Sequence, residues 1–159
     1  MTQEAVPIPN STSFMIIRSW LAWVVISLAS CAPAAHPEKS DIETFLNRYF
    51  STWSAKDMTG YEACFDNTAR ISFVAKGGLL SSQGLTDFIH GQKIGHERSA
   101  EPMVEVPTDM KITGDNRVAQ AEVRWKLTKG REIVTGTDYF TLVRTSNGWR
   151  IASLVFYND

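Results

Sequence analysis

The chain has 159 residues, 43% of them hydrophobic and 21% charged, with 16 basic side chains against 17 acidic ones. That length fits one domain, and the even charge balance gives no basic excess for binding nucleic acid by counterion release. Two cysteines are too few for a disulfide scaffold or a cysteine-based zinc site.

Residues 19–30 are uncharged and mostly apolar, Arg18 precedes them, and Cys31 follows at once. The segment is shorter than the roughly 20 residues needed to span a bilayer, but it suits the hydrophobic region of a signal peptide. Leu28-Ala29-Ser30-Cys31 resembles the bacterial lipoprotein signal, in which small residues admit the peptidase and the cysteine thiol accepts a diacylglyceryl group. Cleavage before Cys31 frees an amine for a further acyl chain, and two or more chains anchor durably. An ordinary cleaved signal or an uncleaved anchor is the alternative. Met1 to Phe14 carry Glu4 and no positive charge, so Met15-Ile16-Ile17-Arg18 is a candidate start. The expected organisation is a leader over 1–30, a tether over 31–39 that contains His36 and two prolines, and a domain over 40–159. Because Ala32, not Asp, follows the cysteine, the lipoprotein sorting rule implies the outer membrane, facing the periplasm.

Ser40 with Glu43 makes a capping-box pattern, so a first helix is expected from Ser40 or Asp41 to Ala55-Lys56. Ile42, Phe45, Leu46, Tyr49 and Trp53 recur on its apolar face, with Phe50 beside them. Asp57 is placed to cap a short second helix that ends at Cys64 or Phe65, and Asp66-Asn67 reads as a turn. A strand over 69–75 turns at Gly77-Gly78 into a return strand at Leu79-Leu80. Ser81 or Ser82 is expected to cap a third helix that carries Leu85, Phe88 and Ile89 and is limited by Gly91 and Gly95. A polar loop through His96-Glu97-Arg98 follows. Strands over 103–112 (bulged at Pro107), 117–128, 131–145 and 149–157 complete an antiparallel meander. In 117–128, Ala119, Ala121, Val123, Trp125 and Leu127 share one face, so the sheet has a buried face and a wet face. Helices followed by a meander make the class α+β.

Several segments carry a resemblance: Phe45-Leu46-Asn47-Arg48-Tyr49-Phe50 followed by Lys56-Asp57, Phe65-Asp66-Asn67-Thr68-Ala69, Gly84 with Phe88-Ile89, and Gly148-Trp149-Arg150-Ile151. In this order they resemble the nuclear transport factor 2-like superfamily, including its SnoaL-like and ketosteroid-isomerase relatives. The resemblance covers about residues 40–158. It implies a cone-shaped half-barrel with three helices packed on a curved sheet and a pocket between them. It also implies a dimer through the sheet, and functions that range from dehydratases and isomerases to binding modules.

Enzymes of that superfamily place an acid inside the cone, where burial raises its pKa. Asp138 lies in phase with Val134, Phe140 and Leu142, unless Gly136 is a bulge that turns it to solvent. The isomerase base would fall near Ser72-Phe73, where neither residue takes a proton at neutral pH. His90, beside Phe88 and Ile89, is the candidate partner of Asp138 in catalysis, with packing or exposure as the alternative. Tyr49, Trp53, Trp125 and Tyr157 are candidate pocket walls as well as core residues. Cys64 reads as a buried thiol, with redox or intermolecular pairing as the alternative. No metal-ligand spacing and no cofactor motif is found, so none is expected. The reading is an envelope lipoprotein, membrane-bound through Cys31, whose domain binds a small apolar ligand or pairs with a partner. The alternative is a SnoaL-like lyase, isomerase or hydrolase.

Overall fold

In the computed structural model, residues 37–159 are described. The leader, Cys31 and His36 lie outside them.

Helix α1 spans Pro37–Ser54. It opens at Pro37 and not at Ser40, because a proline in the first turn forfeits only an N–H that has no intrahelical acceptor. Ile42, Phe45, Leu46, Tyr49, Phe50 and Trp53 are all buried, as their helical spacing requires. The helix ends in a Schellman motif: the Asp57 N–H donates to the Thr52 carbonyl (2.9 Å) and the Lys56 N–H to that of Trp53 (3.0 Å). Lys56 itself is forced to φ 60°, where glycine is usual.

Helix α2 is Met58–Glu62, capped by Asp57, whose Oδ1 accepts from the Gly60 N–H at 2.9 Å. Strand β1 spans Phe65–Ala75 and β2 spans Gly78–Gly84. Asp66-Asn67 is not a turn between elements. It sits inside β1 at an irregularity, where Asp66 accepts from the Thr68 N–H. Gly77 and Gly78 turn the hairpin at φ 105° and 140°.

Helix α3, Leu85–Arg98, follows Gly84 with no side-chain cap. It runs through Gly91 and Gly95, where a side chain would meet only open space, so neither glycine stops it. His96-Glu97-Arg98 is therefore the last helical turn and not a loop.

The meander follows as β3 (Met103–Gly114), β4 (Val118–Lys129), β5 (Glu132–Thr145) and β6 (Gly148–Asn158). The six strands make one curved, unclosed sheet in the order β2-β1-β6-β5-β4-β3, antiparallel except where β1 runs parallel to β6. The fold is the expected α+β half-barrel. Its buried face carries Ala119, Ala121, Val123 and Trp125 from β4, Phe140 and Leu142 from β5, and Trp149, Ile151 and Leu154 from β6.

Two bulges set which side chains face inward. Thr108 is the extra residue of β3, since Pro107 pairs with Trp125 and Asp109 with Arg124. Ala152 is the extra residue of β6, since Ile151 pairs with Leu142 and Ser153 with Thr141. Gly136 is not a bulge, and the β4–β5 ladder runs unbroken from Val118↔Val143 to Lys129↔Glu132.

Tyr49 centres the helix–sheet contact. Its ring meets Phe50 and Phe140 edge-on at 5.0 and 5.2 Å, and Tyr61 at 4.9 Å. Ser54 ties α1 to the outermost strand, its hydroxyl donating to the Glu105 carbonyl (3.0 Å) and accepting from the Glu105 N–H (2.9 Å).

A left-handed conformation costs a non-glycine residue about 1 kcal/mol or more. Lys56→Gly is therefore expected to raise unfolding stability by roughly 1 kcal/mol in a denaturant titration. A loss of stability would contradict the assignment of Lys56 as the strained stop of α1.

Candidate functional site

The sheet alternation brings one acid from each of two strands to a common cavity. Asp138 pairs with Val123 on one side and Phe156 on the other, all on the buried face. Glu105 pairs with Leu127 across the β3–β4 ladder and so faces the same way. The cavity has a volume of about 150 Å³ and lies between helices and sheet. Tyr49 and Trp53 of α1, Tyr61 of α2, and Phe88 and Gln92 of α3 form the helical wall. Glu105, Trp125, Leu127, Asp138, Leu154, Phe156 and Asn158 form the sheet wall.

Asp138 is 3% exposed, and its Oδ1 accepts a 2.7 Å hydrogen bond from the Trp125 indole Nε1–H. Gly136 makes that bond sterically possible. It stands directly opposite Trp125, and a Cβ there would collide with the Trp125 indole and the Tyr157 carbonyl. The indole thus lies over the bare glycine and reaches the acid two residues on.

Burial pushes the Asp138 carboxyl up to about 7, even though the indole hydrogen bond favours its charged form. Glu105 is held well above the usual carboxylate range, first by burial and then by the charge of Asp138. Two acids in one cavity cannot both ionise cheaply, so near neutrality the pair retains a proton. Around them the polar groups are ordered. The Tyr61 hydroxyl donates to the Tyr49 hydroxyl at 2.9 Å, and burial raises both phenols, which therefore stay neutral. The Trp53 indole donates to Gln92 Oε1 at 2.8 Å. Cavity and carboxyls together offer a hydrogen-bonding edge inside an aromatic box.

The structure places the sequence-derived candidates as follows. Asp138, Tyr49, Trp53 and Trp125 line the cavity. His90 does not. It is exposed on α3, two residues and so about 200° round the helix from the cavity-lining Phe88. The pairing of His90 with Asp138 is therefore corrected: Glu105 is the second titratable group at the cavity. Tyr157 is corrected too. The Ala152 bulge shifts the phase of β6, so Leu154, Phe156 and Asn158 face the cavity, while Tyr157 turns to the other face and stacks on the exposed Tyr139 at 6.2 Å. Phe73 packs on Phe156 at 5.2 Å, and Ser72 bonds Ser82, so nothing at those positions supplies a base. Cys64 is buried and its thiol is raised by burial. Among the described residues no three His, Cys, Asp or Glu side chains are grouped to hold a metal ion.

Glu105 and Gln92 were missed at the cavity, and His96, read in a polar loop, is instead buried on α3 outside the cavity lining. The helical step from Phe88 gives the last two, since Phe88, Gln92 and His96 are four residues apart on α3. His96 is 4% exposed, packed at a tilt against Trp53 with ring centres 4.4 Å apart, and neither ring nitrogen has a partner.

The sequence profile of the family described as "Putative lumazine-binding" matches residues 37–157. The chain belongs to that family. No curated protein matches it. Solved structures similar to it include a protein of unknown function from Mycobacterium tuberculosis, with TM-score 0.66 at 23% identity over 77% of this chain and 72% of that one. A nuclear transport factor 2-like protein of unknown function from Pseudomonas putida superposes with TM-score 0.66 at 12% identity, over 76% and 86%. A "Putative Scytalone Dehydratase" from Novosphingobium aromaticivorans gives 0.64 at 15%, over 77% and 85%. These likenesses establish the nuclear transport factor 2-like fold.

The acids make stability depend on pH with a definite sign. Asp138 rises from 3.8 to about 7 on folding, so the folded state binds the extra proton. Its contribution is complete below pH 3.8 and disappears as pH rises through about 7. His96 has the opposite sign. Burial and then the Lys56 charge lower its pKa from 6.5, so stability is lost as pH falls below 6.5. Asp138→Asn is therefore expected to flatten the alkaline loss of stability, measured by denaturant midpoints from pH 5 to 8.5, and to leave the acidic loss in place. An unchanged alkaline limb would contradict the buried proton.

Proposed function

We propose that the domain binds a small ring-bearing molecule in the cavity, with one polar edge against Asp138 and Glu105. The observation that carries this reading is the buried Asp138 carboxyl, held by the Trp125 indole in the wall of an aromatic-lined cavity. At about 150 Å³ the space is below that of pockets for drug-sized ligands. It suits one or two fused rings, with part of the ligand free to emerge at the mouth. A carboxyl pair that retains a proton offers a donor and acceptors together, which complements a ring edge of alternating N–H and C=O groups. Lumazine, named in the family's description, has such an edge, and it is the first probe to use.

Titration with lumazine is expected to quench the fluorescence of the cavity tryptophans saturably. Asp138→Asn is expected to weaken binding about tenfold, the size of a hydrogen bond to an ionisable group. Quenching that does not saturate, or that is equal in the variant, would contradict this reading.

A second reading has support from the same pair. An acid poised near 7 beside another acid can pass a proton to and from a bound molecule, as in a lyase, isomerase or hydrolase. On this reading Asp138→Asn abolishes turnover of the bound compound and leaves its binding within a few-fold.

The domain is proposed to be displayed from the bacterial envelope through lipidated Cys31, on the support of Leu28-Ala29-Ser30-Cys31 after an apolar leader, and to face the periplasm from the outer membrane. A second copy is proposed to cover the outer sheet face, where Val104, Val106, Val118, Ile133 and Tyr139 are exposed. Cys31→Ser is expected to abolish incorporation of labelled fatty acid and, because cleavage follows acylation of the thiol, to leave the leader attached and the intact mass changed. Unchanged fatty-acid labelling and mass would remove the anchor from the account.

A further inference from the structure

A second concavity, of about 330 Å³, lies where the middle of α1 meets the β5–β6 hairpin. It shares no lining residue with the aromatic cavity. Arg48 comes from α1, Arg144 from β5 and Arg150 from β6, and the Trp149 side chain closes one wall. Three elements thus bring cations to one groove.

The groove offers donors in excess. Asp41 is its one acid, and it pairs with Arg144 at 3.6 Å with both side chains well exposed, a contact of little strength. Among the described residues, Arg48 and Arg150 have no carboxylate at ion-pair distance. Their positions are nonetheless fixed. Arg48 lies over the Phe45 ring at 5.5 Å and Arg144 over the Trp149 ring at 5.4 Å. Arg150 Nη1 donates to the Asn147 and Trp149 carbonyls at 3.2 and 2.7 Å. The positive field of Arg48 and Arg150 also reaches the neighbouring Cys64, where both favour the thiolate against burial.

Trp149 provides a reporter at the same place. Trp149 is 4% exposed, and its indole Nε1–H is buried with no acceptor. A buried donor left unpaired is costly and uncommon in folded proteins. Guanidinium groups are donors only, so a ligand that satisfies the three of them must bring several acceptor oxygens and negative charge. A phosphate group does both, and arginine's planar fork matches its oxygens.

We propose that this groove is a second ligand site, for a phosphate group, held by Arg48, Arg144 and Arg150 beside the Trp149 ring. The group belongs either to a soluble phosphate ester or to a phospholipid head. The site stands independently of the reading of the aromatic cavity.

The test uses the full chain in detergent micelles with 15N-labelled tryptophan, the Trp149 indole signal being assigned by its loss in Trp149→Phe. One arm adds inorganic phosphate, and the other compares nanodiscs of phosphatidylglycerol with nanodiscs of phosphatidylcholine. The Trp149 signal is expected to move saturably, while the Trp125 signal, fixed by Asp138, stays in place and reports the native fold. Arg48→Gln and Arg150→Gln are each expected to weaken the response about tenfold, and Asp41→Asn to strengthen it. A shift with free phosphate assigns a soluble ester, and a shift only with phosphatidylglycerol assigns a lipid head. No shift in either arm would overturn the site, as would an equal shift in the arginine variants with the Trp125 signal in its native place.

Discussion

The hydrogen bond from the Trp125 indole to Asp138 joins the sheet's packing to its chemistry. Trp125 fills the space that Gly136 leaves empty on the neighbouring strand, and its N–H ends on an acid that burial drives toward neutrality. The bond acts against that drive, because it steadies the charged form. Desolvation nevertheless outweighs it, and the carboxyl remains poised near 7. Without the glycine the indole could not lie flat, and without the indole the acid would be buried with one oxygen unpartnered, which is the costlier arrangement.

The rest of the domain holds the second acid in place. Glu105 lies on β3, an edge strand with a neighbour on one side only. The Ser54 hydroxyl, which donates to the Glu105 carbonyl and accepts from the Glu105 N–H, supplies part of what the missing neighbour would. Helix α1 therefore fixes the strand that carries Glu105, and through Tyr49 and Trp53 it also forms the opposite wall of the cavity. Packing of one amphipathic helix sets both the depth of the cavity and the separation of its walls.

Much of this was legible in the residues, and the failures have physical reasons. The unbroken alternation of β4 placed Trp125 inward, and the same period placed Asp138 there once Gly136 proved to be regular strand. Glu105 was hidden because Val104 and Val106 carry the apolar alternation of β3. The ladder with β4 overrides that pattern, turning the valines out, 47% and 41% exposed, and the glutamate in. Tyr157 was misplaced because a bulge, invisible to a period-two count, inserts Ala152 and reverses the face of every later residue. His90 sits next to apolar residues in sequence, but on a helix that adjacency puts it on another face, and the stop assigned at Gly91 and Gly95 concealed the true row through Gln92 and His96. The leader and Cys31 rest on sequence alone.

The central claim is a carboxyl that keeps its proton near neutrality inside the cavity. A carbon-13 NMR titration of the aspartate carboxyl signals, with Asp138 assigned through Asp138→Asn, tests it directly. The account predicts a midpoint close to 7 for Asp138, with a second inflection from Glu105. A midpoint near 4, in line with exposed aspartates, would mean that the acid is solvated and that the cavity holds no poised proton.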